Sequence, residues 1–268
     1  MPRLYRRHLL AGIGSVLLVG RHVAAMGERP SRAASRDFRI PVLCYHQFGE
    51  HVSSTLTVST ATLEAQLRSI VDGGFTAVSA HQLVEQRLGL GPTVPDRSVV
   101  LTIDDGYKSI YSVFFPLAVK YRMRATIFIY PSAISLLPFA LTWEEISEMK
   151  ASGLIDVQSH SYTHPNLPLE EHVLPGPAFD QFIRRELVLS RQVIEAHVAG
   201  SCDLLAWPYG LYDAELKKDA RRAGYIAAFG TGRRPASQND DLMALPRYII
   251  TEHIRDASFE RVLAGTVE

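Results

Sequence analysis

Val99-Val100-Leu101-Thr102-Ile103-Asp104-Asp105-Gly106-Tyr107 is an apolar run that ends in two adjacent carboxylates and a glycine. The run predicts a buried strand. A strand interior does not hold two neighbouring charges, because burying an unpaired carboxylate is very costly. Asp104 and Asp105 are therefore expected at the mouth of the strand, where a cation or a proton relieves their repulsion. Asp-Asp-Gly is also a common turn sequence, so on this stretch alone a plain turn is an equal alternative.

Length and composition indicate a globular protein. The chain has 268 residues, of which 47% are hydrophobic and 21% charged, and this length suits two small domains or one α/β barrel. The 28 basic side chains equal the 28 acidic ones, so no overall charge favours nucleic acid, and we expect no nucleic-acid partner. Cys44 and Cys202 are too few for a disulfide framework, and we expect two buried thiols.

Residues 1–25 have the order of an export signal. Arg6-Arg7 precedes an apolar run at residues 9–19, and small residues at 23–25 offer a cleavage site. The paired arginines resemble a twin-arginine signal. An uncleaved N-terminal anchor is the alternative, although the apolar run is short for a bilayer span. We therefore expect an exported protein, periplasmic or secreted.

Short apolar segments alternate with helical patterns along residues 40–268, after a flexible, arginine-rich lead at residues 26–39. The alternation predicts a parallel β/α architecture with helices covering the sheet. Seven or eight predicted strands favour a closed or nearly closed barrel, in a single domain. Within it, we expect a proline-rich loop over residues 165–177 and one long helix around residues 179–198.

Chemically active residues follow four of the predicted strands. They are His46, Asp104, Asp105, His160, His164 and Tyr209. In parallel α/β barrels, the loops at the carboxyl ends of the strands line one active site. The sequence therefore predicts that these residues share a single site.

His160-Ser161-Tyr162-Thr163-His164 places two imidazoles four residues apart. On a helical turn this spacing brings both rings to one face, where they can share a cation. Asp105 is the natural carboxylate to complete the set, which leaves Asp104 free to take a proton from water. Structural histidines are the alternative, and for a lone His46 they are the favoured one. Zinc is the metal we expect, and nickel, cobalt and iron fit the same ligands.

Three motifs, in this order, resemble those of the polysaccharide deacetylases, carbohydrate esterase family 4. Thr102–Gly106 is similar to the first motif of that family, His160–His164 to the second, and Ala206-Trp207-Pro208-Tyr209-Gly210 to the third. The resemblance covers the chain from about residue 40 to the last predicted strand. It implies the family's distorted (β/α) barrel of mostly parallel strands.

The resemblance also implies residue roles. Asp104 would be the general base, and Asp105, His160 and His164 would be the ligands of one divalent metal ion. The backbone amide of Tyr209 would help to stabilise the oxyanion. The implied activity is metal-dependent hydrolysis of N-acetyl groups, with an N-acetylated polysaccharide as substrate.

The sequence departs from the family pattern at two places. Ala206 stands where the third motif usually has arginine, and the usual late Leu-x-His that supplies the general acid has no clear match. However, Tyr45-His46, the Trp-Pro-Tyr-Gly variant and Leu245-Pro246-Arg247 resemble the branch that deacetylates poly-β-1,6-N-acetylglucosamine. In that branch an N-terminal histidine is the acid, which implies His46 here. Deacetylation of chitin, peptidoglycan or acetylxylan, and an inactive glycan-binding barrel, stay open as alternatives. Polysaccharide export machinery is a candidate partner.

Overall fold

The structure is a computed structural model, and it describes residues 38–266. The predicted export signal and nearly all of the predicted flexible lead lie outside these residues, so both stay predictions. In the part of the chain that is described, no helix has the length and apolar character needed to cross a membrane.

The described residues form twelve strands, of which eight build one central sheet. In chain order the strands are β1 (Arg39–Ile40), β2 (Val42–Tyr45), β3 (Gln47–Gly49), β4 (Thr57–Ser59), β5 (Thr76–Val78), β6 (Ser98–Ile103), β7 (Ala125–Ile129), β8 (Ile155–Ser159), β9 (Leu204–Ala206), β10 (Ala227–Phe229), β11 (Ala236–Ser237) and β12 (Tyr248–Ile249). The central sheet has the order β10-β9-β8-β7-β6-β2-β12, with β5 also paired to β6, and all of its pairs are parallel. The predicted seven or eight mostly parallel strands are confirmed.

The segment at residues 245–250 connects the two edges of this sheet. On one side, the amides of Gly230 and Gly232 donate to the carbonyls of Leu245 and Arg247, at 2.9 and 2.8 Å. On the other side, β12 pairs with β2. The sheet therefore curls into a distorted barrel, and the Arg247 side chain is buried, with only 1% of its surface exposed.

Nine α-helices lie within the described residues. They are α1 (Thr60–Asp72), α2 (Ala80–Leu88), α3 (Phe115–Tyr121), α4 (Trp143–Ala151), α5 (Leu167–Val173), α6 (Gly176–Arg184), α7 (Ser190–His197), α8 (Ala214–Arg222) and α9 (Ala257–Leu263). Capping boxes at Ser79 and Thr142 begin α2 and α4. A π-helical turn at Ile110–Phe114 leads into α3, and a second one, at Arg185–Leu189, joins α6 to α7.

Of two predictions for the chain between β8 and β9, one is wrong and one is confirmed with a correction. The loop predicted over residues 165–177 contains α5, because the Asn166 side chain caps the helix and Pro168 lies in its first turn, where proline is tolerated. The long helix predicted around residues 179–198 is present, but it begins earlier, at Gly176, and includes the π-helical turn. Hydrophobic spacing does not reveal an inserted residue in a helix.

The alternation of side chains between the two faces of β6 explains where Asp104 lies. All six residues of β6 are buried, as expected for a parallel strand that is covered on both faces. Leu101 and Ile103 pack in a core cluster that includes residues of α1, α3 and α4. Val100 packs in a second cluster, which consists mostly of strand residues together with residues of α2. Asp104 continues the alternation of Val100 and Thr102, and the Arg247 guanidinium contacts both Thr102 and Asp104.

Candidate active site

All six predicted site residues line one cavity of about 440 Å³ at the carboxyl ends of the strands. Its lining includes His46, Asp104, Asp105, His160, His164 and Tyr209, together with Cys44, Tyr107, Tyr130 and Arg247. Because the strand ends converge, residues that are far apart in the sequence line a single cavity.

Asp104 is a buried, ion-paired carboxylate. Arg247 donates one hydrogen bond to each of its oxygens, both at 2.7 Å. Burial raises the pKa of the Asp104 carboxyl, but the Arg247 guanidinium outweighs this and holds the pKa well below its usual range. Asp104 is therefore ionised in the resting protein, at the end of β6.

Asp105 directly follows Asp104 but lies in a different environment. Its backbone is left-handed, with φ of 72°, a conformation that aspartate adopts more readily than most residues. Its Oδ1 is buried and has no hydrogen-bond partner among the described residues. Burial and the charge of Asp104 raise the pKa of Asp105 to about 7. A buried carboxylate oxygen without a partner is costly, so this oxygen is suited to a cation.

The loop after β8 brings both histidines to Asp105. Nε2 of His160 lies 3.5 Å, and Nε2 of His164 lies 3.4 Å, from Asp105 Oδ1. Nδ1 of His160 is 2.8 Å from the Ala206 carbonyl. A proton donated there leaves Nε2 free as a ligand. Burial lowers the pKa of His160 to about 3 and also lowers the pKa of His164, which favours the neutral imidazole that binds metals.

Residues 160–164 do not form the helical turn on which their spacing would bring the two rings to one face. Ser161 and His164 are both left-handed, with φ of 64° and 58°, and the segment is a loop. The Ser161 hydroxyl accepts a hydrogen bond from the His164 amide at 3.1 Å, which stabilises the turn. The two ring centroids are still 4.6 Å apart, so the rings converge through a loop instead of a helix.

The geometry fits one divalent metal ion. The ligand atoms of Asp105, His160 and His164 all lie within 4.8 Å of one another. Tetrahedral zinc, at about 2.0–2.2 Å from nitrogen and oxygen ligands, separates neighbouring ligand atoms by about 3.3 Å. The separations of 3.4 and 3.5 Å from Asp105 Oδ1 match this value. The unpartnered Asp105 oxygen gives an independent reason for a cation here.

His46 and Tyr209 lie at other parts of the same cavity. His46 follows β2, and its Nδ1 is buried without a hydrogen-bond partner among the described residues. One of its ring nitrogens lies within 4.8 Å of an Asp104 oxygen, and burial lowers the pKa of the ring. Tyr209 has 61% of its surface exposed at the cavity rim, with its ring centroid 4.6 Å from that of His164.

Both cysteines are free and buried, as predicted. Cys44 lies in the cavity lining, and its thiol donates to Asp104 Oδ2 at 3.5 Å. Burial raises the pKa of Cys44 well above its usual range. Cys44 is therefore a protonated thiol, and it gives Asp104 one more hydrogen bond.

Left-handed backbone is concentrated at the site. Of the seven described non-glycine residues with positive φ, four belong to the site loops: Asp105, Ser161, His164 and Tyr209. At Gly210, which has φ of 69°, a Cβ would lie only 2.5 Å from the Thr231 methyl group. Such conformations persist where the surrounding structure determines them, and they cluster at functional sites.

Arg247 is the main site residue to which sequence reasoning gave no role. The sequence presents it only as part of Leu245-Pro246-Arg247. The available signal was its position at the start of an apolar predicted strand, where a buried guanidinium requires a carboxylate partner. Nothing in the sequence indicates that Asp104 is that partner, because 142 residues separate the two.

The chain belongs to the polysaccharide deacetylase family. The model of that family matches residues 91–228, just over half of the chain. This confirms the resemblance drawn from the three motifs, and by family the chain is a hydrolase of the polysaccharide deacetylase type. His46 and Arg247 lie outside the matched residues, so their place in the site rests on the geometry.

Individual proteins extend this comparison. YxkH of Bacillus subtilis, provisionally named a polysaccharide deacetylase, is 26% identical over 221 residues, which cover 82% of this chain and 75% of YxkH. The poly-β-1,6-N-acetyl-D-glucosamine N-deacetylase of Escherichia coli K12 is 25% identical over 233 residues, and the match covers 74% of this chain but only 34% of that relative. The Streptococcus pyogenes deacetylase PplD, solved in complex with acetate, superposes with a TM-score of 0.75 at 24% identity, over 86% of this chain and 99% of PplD. The last likeness confirms the fold.

Proposed function

We propose that this chain is a metal-dependent N-deacetylase of an extracytoplasmic polysaccharide, with poly-β-1,6-N-acetylglucosamine as its substrate. The observation that carries the chemistry is the convergence of Asp105, His160 and His164 ligand atoms within 4.8 Å. The substrate is supported by the name of the Escherichia coli relative and by His46 lying in the cavity at the end of β2. The predicted export signal supports the location.

Asp105, His160 and His164 would hold the metal. Zinc is the ion we expect, and nickel, cobalt and iron are the other candidates. A divalent cation bound there lowers the pKa of water and polarises the acetyl carbonyl. The role of the three side chains is to fix the cation beside Asp104.

Asp104 is the general base in this proposal. The two hydrogen bonds from Arg247 fix its orientation and keep it ionised, so that it can accept a proton from the attacking water. The His46 ring lies within 4.8 Å of the same carboxylate, whose negative charge favours the imidazolium form against the effect of burial. In this proposal the imidazolium gives a proton to the departing amine. The Tyr209 amide donates a hydrogen bond to the oxyanion, a contact worth about 2.7–4 kcal/mol in comparable sites.

Acetate release tests both the chemistry and the substrate. Metal-free protein, prepared with a chelator, is given Zn²⁺ and either β-1,6-linked or β-1,4-linked N-acetylglucosamine oligomers. We expect acetate from the β-1,6-linked oligomer, only after metal is returned. Nickel, cobalt and iron in parallel reactions identify the metal that supports the highest rate.

Other outcomes would contradict separate parts of the proposal. A preference for the β-1,4-linked oligomer would assign the substrate to chitin or peptidoglycan, and release from acetylxylan would indicate an esterase. Glycan binding without acetate release from any polymer would indicate an inactive binding barrel. Equal rates in the presence and absence of the chelator would contradict metal dependence.

A further inference from the structure

Glu186 is a fully buried carboxylate that does not line the cavity. It accepts hydrogen bonds from the backbone amides of Tyr162 and Thr163 at 3.0 and 2.8 Å. It also accepts one from the Thr163 hydroxyl at 2.8 Å. Tyr162 and Thr163 lie between the two histidines of the site. Because a buried carboxylate is tolerated only when it is well hydrogen-bonded, Glu186 and this loop are tightly coupled.

Two neighbours of Glu186 hold the same loop. The Arg185 guanidinium lies 5.5 Å from the centre of the Tyr162 ring, in a cation–π contact. Ser190, at the start of α7, donates to the Ser161 carbonyl at 2.9 Å. Residues 161–163, which are all of the residues between the histidines, therefore contact the segment from Arg185 to Ser190.

That segment includes the π-helical turn at Arg185–Leu189. A π turn inserts a residue into a helix and changes which side chains face inward, and such turns are frequent at functional sites. Here the turn places the charged Glu186 on the buried side of a helix whose other inward side chains include Ile183 and Leu187. The π-helical turn thus puts the Glu186 carboxylate where it can accept hydrogen bonds from the loop between the two histidines.

The two histidines depend on this loop to different degrees. His160 directly follows β8, and its Nδ1 is fixed by the Ala206 carbonyl. His164 lies at the far end of the loop, in a left-handed conformation. Its amide is bonded to Ser161, within the loop itself. A change in the conformation of residues 161–163 would therefore displace His164 more than His160.

We propose that Glu186 is a positioning residue of the metal centre, which holds residues 161–163 in the conformation that brings His164 to Asp105. The proposal rests on the proposed function in one respect, namely that Asp105, His160 and His164 bind a divalent ion. Glu186 acts through the loop and touches neither substrate nor metal.

Zinc affinity tests this role without any assay of activity. Metal-free full-length protein is titrated with Zn²⁺ against a chromophoric chelator. We expect Glu186→Ala to weaken binding about 10- to 100-fold, the usual effect of losing an outer-shell partner. Glu186→Gln should restore affinity to near the parent value, because the amide oxygen accepts the two backbone hydrogen bonds and the amide nitrogen donates to the Thr163 hydroxyl.

Glu252→Ala is the matched control. Glu252 also accepts three hydrogen bonds, from the Ser59 amide, the Ser59 hydroxyl and the Thr62 hydroxyl, and none of these residues lines the cavity. Both alanine variants should lower the thermal stability of the metal-free protein, but only Glu186→Ala should change zinc affinity.

Parent-like zinc affinity in folded Glu186→Ala would overturn the proposal, and so would equal losses of affinity in the two alanine variants. Should Glu186→Ala not fold, Glu186→Asp replaces it with the same expectation, because it keeps the charge but is one methylene too short. A parent protein that binds no Zn²⁺ would instead contradict the proposed function itself, before any variant is compared.

Discussion

Two clusters of histidine and aspartate lie at opposite ends of the parallel strands. The first is the site described above, at the carboxyl ends. The second lies near the amino ends of β8 and β9, where His81 bridges two carboxylates. Its Nδ1 is 3.0 Å from Asp156 and its Nε2 is 2.6 Å from Asp203, and Lys150 donates to the other Asp156 oxygen at 2.6 Å.

The histidine pKa is shifted in opposite directions in the two clusters. Burial lowers the pKa of His81, but its two carboxylate partners outweigh burial and raise the pKa to about 9. In the site, burial lowers the pKa of His160 to about 3, and an Asp105 oxygen lacks a partner among the described residues. The amino-end cluster is complete and joins α2 to the sheet, whereas the site brings one carboxylate oxygen and two imidazole nitrogens together as a set that can bind a cation.

The largest expected effect is the loss of metal binding in Asp105→Asn. This change removes the charge on the oxygen that faces both histidines, so stoichiometric Zn²⁺ binding and acetate release should fall to the level of metal-free protein. Asp156→Asn is the matched control at the other cluster, and it should keep full zinc content and turnover. Full metal occupancy with normal activity in Asp105→Asn would contradict the ligand assignment.

His46→Ala should affect catalysis without affecting metal content. Removing a general acid costs about 10²- to 10⁴-fold in rate, and we expect a loss of that size in acetate release. Zinc stoichiometry, measured by atomic absorption, should match that of the parent. His81→Ala provides the comparison at the other end of the strands and should keep the parent rate. An active His46→Ala variant would require a different acid.

Arg247→Met tests the buried ion pair. The change leaves the Asp104 charge buried and unpaired, and breaking such a pair from one side costs about 3–5 kcal/mol. Urea unfolding of the metal-free protein should show a destabilisation of that size. The double variant with Asp104→Asn should recover part of the loss, because the unpaired charge is gone. Equal stabilities of Arg247→Met and the double variant would contradict this explanation.

The smallest expected effect is on the pH dependence of stability. The folded pKa of His81, about 9, exceeds the unfolded value of about 6.5. Its contribution to the free energy of unfolding is therefore complete below pH 6.5 and is lost as the pH rises through 9. Melting temperatures measured from pH 6.5 to 9 should fall more steeply for the parent than for His81→Gln. Parallel curves would indicate that His81 is not charged in the folded protein.

Much of the fold could be predicted from the sequence, because the apolar runs are short, regular and separated by capping residues and glycines. The strand β7 and the acidic end of β6 are clear in the sequence for this reason. The parts that could not be predicted depend on tertiary contacts. Residues 160–164 have the spacing of a helical turn, but contacts with Glu186 and Ser190 hold them as a loop.

The convergence of the candidate site residues was largely predictable, since they follow strands whose carboxyl ends must meet. The partner of Asp104 was not, because the pairing with Arg247 depends on how residues 245–250 connect the two sheet edges. The sequence also does not show that His81 belongs to a different cluster from His160 and His164. Only the hydrogen-bond partners distinguish a completed structural cluster from one that is open to a metal.

Anomalous scattering at the zinc absorption edge, from crystals of the parent protein grown with one equivalent of Zn²⁺, tests the difference between the two clusters most directly. We expect a single strong peak bounded by Asp105, His160 and His164, and no peak beside His81. A peak between His81, Asp156 and Asp203, or an empty site in crystals of protein that releases acetate, would contradict the assignment of the metal centre.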